Sequence, residues 1–134
     1  MIHVLFTTFD SVHRGVGQTQ VAELCQKLAA RGIRVTVLSF EYPDAESDAE
    51  FAYNGNPSWI SLRFGPKGVV GGIYRLAWLA IRSRLVRRVD VIHCRGDLAF
   101  LASAGRRKPR LWDMRAFWPQ QRVVTGALSE KSIV

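Results

Sequence analysis

The chain has 134 residues, 48% of them hydrophobic, which suits one globular domain able to bury a core. No apolar run reaches the roughly 18 residues of a membrane-spanning helix, and the opening "MIHVLFTTFD" reads as a strand rather than a signal peptide. The net charge of +8 is uneven: residues 1–50 hold four basic and seven acidic groups (net −3), residues 51–134 fifteen and four (net +11). That asymmetry calls for an anionic partner of the second part, for which nucleic acid, anionic lipid and the phosphates of a sugar nucleotide all qualify.

In chain order, Ile2 to Phe9 is a β-rich run with little polar alternation, as in a strand buried on both faces. Asp10 to Gly17 reads as a loop. From Gln18, Val21, Leu24, Cys25, Leu28 and Ala29 recur at helical spacing, and Gly32 closes that helix where a left-handed residue is wanted. Ile33 to Phe40 is a second strand, so the first forty residues form a βαβ unit with parallel strands. "EYPDAESDAE" lacks apolar periodicity and reads as a solvated loop. "PSWISLRFG" is a third strand, Gly65 to Gly72 a loop, and Ile73 to Arg88 a long helix whose last turn holds Arg84, Arg87 and Arg88 against the negative end of its dipole. "VDVIHC" is a fourth strand, Asp97 to Gly105 a short helix with Asp97 as its cap, and "RLWDM" a fifth strand. The alternation predicts a single α/β domain over residues 1–134: a Rossmann-like, doubly wound parallel sheet of about five strands in the order 3-2-1-4-5.

In such sheets ligands sit at the carboxyl ends of the strands, which singles out four stretches. "HRGVGQTQ" places Gly15 and Gly17 before a helix N-terminus whose unpaired N–H groups suit an anion. A turn chosen for geometry is the alternative. The stretch departs from the dinucleotide fingerprint at Gln20 and has no Walker lysine. Glu41, ending the second strand, is the residue that a ribose would require. "CRGD" offers Arg95 as a clamp for phosphate or carboxylate, with His93 packed inside the strand. "DMRAFWPQQR" gathers Asp113, Arg115, Phe117 and Trp118. It reads either as a sugar-binding wall or as an ion pair fixing a loop whose aromatics fill the core.

Cys25 and Cys94 lie in apolar surroundings, outside any CxxC or Cys/His cluster, and are expected to be reduced, with no metal site. The arginines of the long helix do not share one face, so a solvated helix end competes with membrane docking. No nucleic-acid motif with its aromatic spacing is present, and no nucleic-acid partner is expected.

Two stretches, "GVGQTQVAELCQKLAARGIRVTVLSFE" and "DVIHCRGDLAFLASAGRRKPRLWDMRAFWPQQRV", resemble the N-terminal domain of family-four-type, GT-B glycosyltransferases. The likeness is to bacterial members with a GxGQxQV loop, an SFE strand end and a D-x-R-x-x-W-P loop, and it spans nearly the whole chain. It implies transfer of a sugar from a nucleotide-diphosphate-sugar to a sugar or lipid-linked acceptor, with retention, in polysaccharide or glycoconjugate synthesis. The nucleotide-sugar would be a co-substrate, and no other cofactor is implied. The N-terminal domain would shape the acceptor side, while a separate C-terminal domain with an E-x7-E motif would hold most of the donor. On this reading Gly15, Gly17, Gln18, Arg95, Asp113, Arg115 and Trp118 line the cleft. Arg95 stands where many relatives have histidine. The chain is shorter than the family's usual N-terminal domain, so it is expected to be a fragment, a truncated reading frame or one subunit of a split enzyme. The location implied is the cytoplasm, extending to the inner face of the membrane. A nicotinamide-dependent oxidoreductase domain, with Glu41 on the ribose, and a noncatalytic remnant are the alternatives.

Overall fold

A computed structural model describes residues 1–13, 15–42 and 55–114. Its strands are β1 (His3–Thr8), β2 (Arg34–Glu41), β3 (Ser58–Arg63), β4 (Val91–Arg95) and β5 (Arg110–Asp113). They form one sheet in the order β3-β2-β1-β4-β5, with every neighbouring pair parallel. This is the Rossmann-like α/β arrangement that the alternation predicts. The winding changes direction between β1 and β4, which opens a crevice at their carboxyl ends. The acidic loop falls largely at residues 43–54 and the end of the chain at 115–134, both outside the described residues, as is Arg14.

Both faces of the sheet are covered. Leu5, Leu38, Phe40, Ile92 and Cys94 form a core with Leu79, Ala99 and Ala102. Leu79 belongs to α2 (Gly68–Leu85), and the two alanines to α3 (Asp97–Ala102). On the opposite face Phe6, Val35 and Val37 pack with Val12, Val21, Ala22 and Cys25. The last three belong to α1, a continuous helix made of an α-turn Gly15–Gly17, a π-helical stretch Gln18–Ala22 and an α-helical stretch Glu23–Ala30. Seven of the eight residues of β2 are buried, as its near-continuous apolar run requires. Both cysteines are buried and free.

Three local expectations change. First, α1 begins at Gly15 and not Gln18, because Gly17 adopts helical dihedrals. Second, α2 begins at Gly68 within the expected loop. Gly71 lets the helix pack on the Pro66 carbonyl, where a Cβ would come within 1.7 Å of the oxygen. The helix ends at Leu85, so Arg87 and Arg88 lie beyond its last turn. Third, Asp97 is not a cap. It is the first residue of α3, preceded by Gly96 at φ 86°, and its carboxylate accepts a 3.2 Å bond from Trp112 Nε1. No helix of the described residues is long and apolar enough to cross a membrane.

Candidate functional site

The parallel register puts the ends of three strands side by side: Thr8 pairs with Arg95, and Arg95 with Asp113. The loop after β1 folds back over this edge. Asp10 N donates to Thr8 Oγ1 at 3.0 Å, a local turn that competes with strand extension. Asp10 thereby presents its carboxylate to Arg95, whose Nε lies 3.2 Å from Oδ2. Arg95 Nη2 donates to Gln20 Oε1 of α1 at 2.7 Å. The Arg95 side chain is only 6% exposed, whereas that of Asp10 is 60% exposed. Arg95 Nη1 is buried and has no hydrogen-bond partner among the described residues. The guanidinium is thus fixed in plane by two elements and still has N–H capacity, while the carboxylate beside it faces solvent.

Along the same edge, His93 Nε2 lies 3.5 Å from Asp113 Oδ2. The His93 ring packs on Phe6 at 4.3 Å between centroids, so His93 links the apolar core to the cleft. The Gly96 N–H donates to the Asp113 carbonyl at 3.0 Å and holds the turn after β4 against β5.

The β1–α1 loop is also anchored from β2. Glu41 is 3% exposed, and its carboxylate turns inward. Oε1 accepts from Val12 N at 2.8 Å and Ser39 Oγ at 2.8 Å, and Oε2 accepts from Ser11 Oγ. Ser39 Oγ in turn accepts from Trp59 Nε1 at 2.7 Å, and the Trp59 ring packs against His13 at 3.9 Å. Glu41 is therefore committed to the loop rather than presented to a ribose.

The expected site residues fall into four groups. Arg95 and Asp113 are neighbours at the carboxyl edge, with Gly15 exposed at the start of α1, its φ of 55° open chiefly to glycine. Gly17 is buried against its own chain: a Cβ there would lie 1.8 Å from the Ser11 carbonyl oxygen. Gln18 lines a recess of about 450 Å³ with His13, Thr19 and Gln26. Arg115, Phe117 and Trp118 lie outside the described residues. Asp10 and Gln20, which hold Arg95, are new from the structure. Their signal in the sequence was slight: an acid just after a strand, and an amide one turn into a helix. Among the described residues no three His, Cys, Asp or Glu side chains gather as a metal site would need.

Comparison with curated proteins and with solved structures gives no match. A family model, Glycosyltransferase Family 4, matches residues 17–125, which include α1 from Gly17 onward, all strands after β1 and the Arg95–Asp113 edge. The chain belongs to Glycosyltransferase Family 4.

Proposed function

We propose that this domain forms the acceptor side of a transferase that moves a sugar, with retention, from a nucleotide-diphosphate-sugar to a sugar or lipid-linked acceptor in polysaccharide or glycoconjugate synthesis. The carrying observation is the fixed Arg95 guanidinium at the crevice between β1 and β4, with one buried nitrogen unpaired among the described residues. A preorganised, buried cation stabilises negative charge developing on a leaving diphosphate, and needs no reorganisation to do so. Asp10, largely exposed beside it, is suited to accept a hydrogen bond from an acceptor hydroxyl. Asp113, next in register, and Arg115 and Trp118, close in sequence, would extend the wall. A second, donor-binding domain carrying the E-x7-E motif would supply the other half of the cleft.

The same proposal places the domain in the cytoplasm, against the anionic inner leaflet where a lipid-linked acceptor would lie. Val70, Ile73, Ile81 and Leu85 of α2 are each more than half exposed, an apolar stripe that supports such contact. The nicotinamide reading loses its ribose ligand, because both oxygens of Glu41 are engaged within the chain.

Calorimetric titration of the chain with uridine-, guanosine- and adenosine-diphosphate sugars, and with NAD, tests the reading. The expected result is binding of a diphosphate sugar that weakens by about tenfold or more in Arg95→Gln, a loss typical of a charge-assisted contact. Binding of NAD alone, or sugar-nucleotide binding indifferent to Arg95→Gln, would overturn it.

A further inference from the structure

At the opposite end of the sheet from the Arg95 cleft, the amino ends of β1, β2 and β3 and the end of α2 line an open cavity of about 600 Å³. Four arginines line it: Arg34 from the start of β2, Arg82 from the last turn of α2, and Arg87 and Arg88 from the segment after it. His3, Thr36 and Ser58 line it as well. We propose that this cavity is a binding site for a phosphate group, separate from the transfer cleft and independent of the transferase reading.

Charge makes the first argument. None of the four arginines has a carboxylate partner among the described residues, where the ion pairs join Lys27 to Glu23, Arg95 to Asp10 and His93 to Asp113. One carboxylate stands near, that of Asp90, and it accepts from the His3 backbone N–H at 2.8 Å. Four like charges around one cavity repel one another, and an anion in their midst turns that repulsion into attraction. Guanidinium groups grip phosphate oxygens with paired N–H donors, and a phosphate offers enough oxygens to engage more than one arginine at once, where a carboxylate offers two oxygens and a chloride one atom.

Geometry makes the second. Arg88 has φ 56°, a conformation uncommon outside glycine, and its carbonyl faces His3 Nδ1 at 3.2 Å. His3 Nε2 meets Thr36 Oγ1 at 2.9 Å, which meets Ser58 Oγ at 3.0 Å. This chain of polar contacts ties the arginine-bearing turn to β1, β2 and β3, so the cavity wall is built rather than a chance of long side chains. Leu85, 64% exposed, joins the cavity to the apolar stripe of α2. The phosphate can therefore be that of a lipid headgroup or of a free small molecule.

The test follows backbone amide signals of the ¹⁵N-labelled chain during titration with inorganic phosphate at constant ionic strength. A second arm measures sedimentation with phosphatidylcholine vesicles, with and without phosphatidylglycerol. The variant is Arg34→Gln/Arg87→Gln, at two exposed positions outside the core. The control is Arg63→Gln/Lys67→Gln, which removes equal charge near the other end of the sheet. Saturable shifts at residues 34–36, 58–60 and 85–88, weakened about tenfold or more in the variant alone, support a free-phosphate site. Binding to the anionic vesicles lost to the same extent in the variant alone supports a headgroup site. If neither arm binds, or the control loses as much as the variant, the proposal is overturned.

Discussion

Gly17→Ala should destabilise the chain although it puts a better helix former into a helix. Gly17 has φ −63° and ψ −42°, so propensity alone would make the change stabilising by about 1 kcal/mol. The new Cβ, however, would sit 1.8 Å from the Ser11 carbonyl oxygen, 2.8 Å from its carbon and 3.2 Å from Val12 Cα. These are backbone atoms, and the loop must retreat by roughly 1.5 Å to restore ordinary contact. It is held in place, because Ser11 Oγ and Val12 N both donate to the buried Glu41 carboxylate. Overpacking costs about 1–3 kcal/mol and loosening bonds to a buried charge about 1.5–3 kcal/mol, which leaves a net loss of roughly 1.5–5 kcal/mol after the helical gain. Gly72→Ala is the matched comparison. It lies inside α2, a Cβ there meets nothing within 4 Å, and the change should stabilise by about 0.5–1 kcal/mol. Urea unfolding read by circular dichroism measures both, provided the slope stays constant. A Gly17→Ala midpoint at or above that of the unsubstituted chain would show that the Ser11–Val12 loop gives way without cost.

Glu41→Ala should cost about 2–4 kcal/mol, since it strands the Val12 N–H and the Ser11 and Ser39 hydroxyls, and Glu41→Gln should recover part of the loss; unchanged unfolding midpoints would contradict this. Burial, reinforced by the nearby Arg34 charge and only partly offset by the Arg88 carbonyl and Asp90, holds the His3 pKa below its ordinary 6.5. The unfolded chain then binds the extra proton, so stability should be full above about pH 6.5 and fall as pH drops from there toward the depressed folded value. His3→Gln should flatten that slope in unfolding measured across pH 5 to 8, and an identical slope would exclude His3 as its source. Burial also pushes the Cys25 thiol up to about 12. At pH 8 the folded chain should therefore leave Cys25 unmodified by a thiolate-specific reagent, with labelling only on unfolding. Rapid native labelling at Cys25, located by mass spectrometry, would show that the α1 core opens.

The sheet was legible in the sequence because its signals are periodic and local: apolar strand runs, the helical stripe from Val21 to Ala29, and Gly32, which does take a left-handed φ of 78°. What escaped was set by contacts between distant residues. Gly71 and Gly72 look like loop residues by propensity, yet both lie in α2, where Gly71 makes room for the Pro66 carbonyl. Asp97 has the composition of a cap, but the cap position falls to Gly96, and Trp112 claims the carboxylate. At the site, strand-end position alone picked out Arg95 and Asp113. The pairing of Arg95 with Asp10 and Gln20 spans 85 and 75 residues, and no local pattern encodes it. Its place at the end of β2 gives Glu41 the look of a ribose ligand. Its inward turn depends on Ser11 and Val12, which only the folded loop brings near.

On the proposed function, the crevice beside Arg95 receives the transferase ligands. Backbone amide shifts of the ¹⁵N-labelled chain, mapped during titration with the diphosphate sugar that binds best, test it most directly. Saturable shifts are expected in residues 10–20, 95–97 and 113, and these shifts should be abolished in Arg95→Gln whether or not the amino ends of the strands also respond to the diphosphate. Saturable shifts confined to other surfaces, or shifts in the crevice that persist in Arg95→Gln, would contradict it.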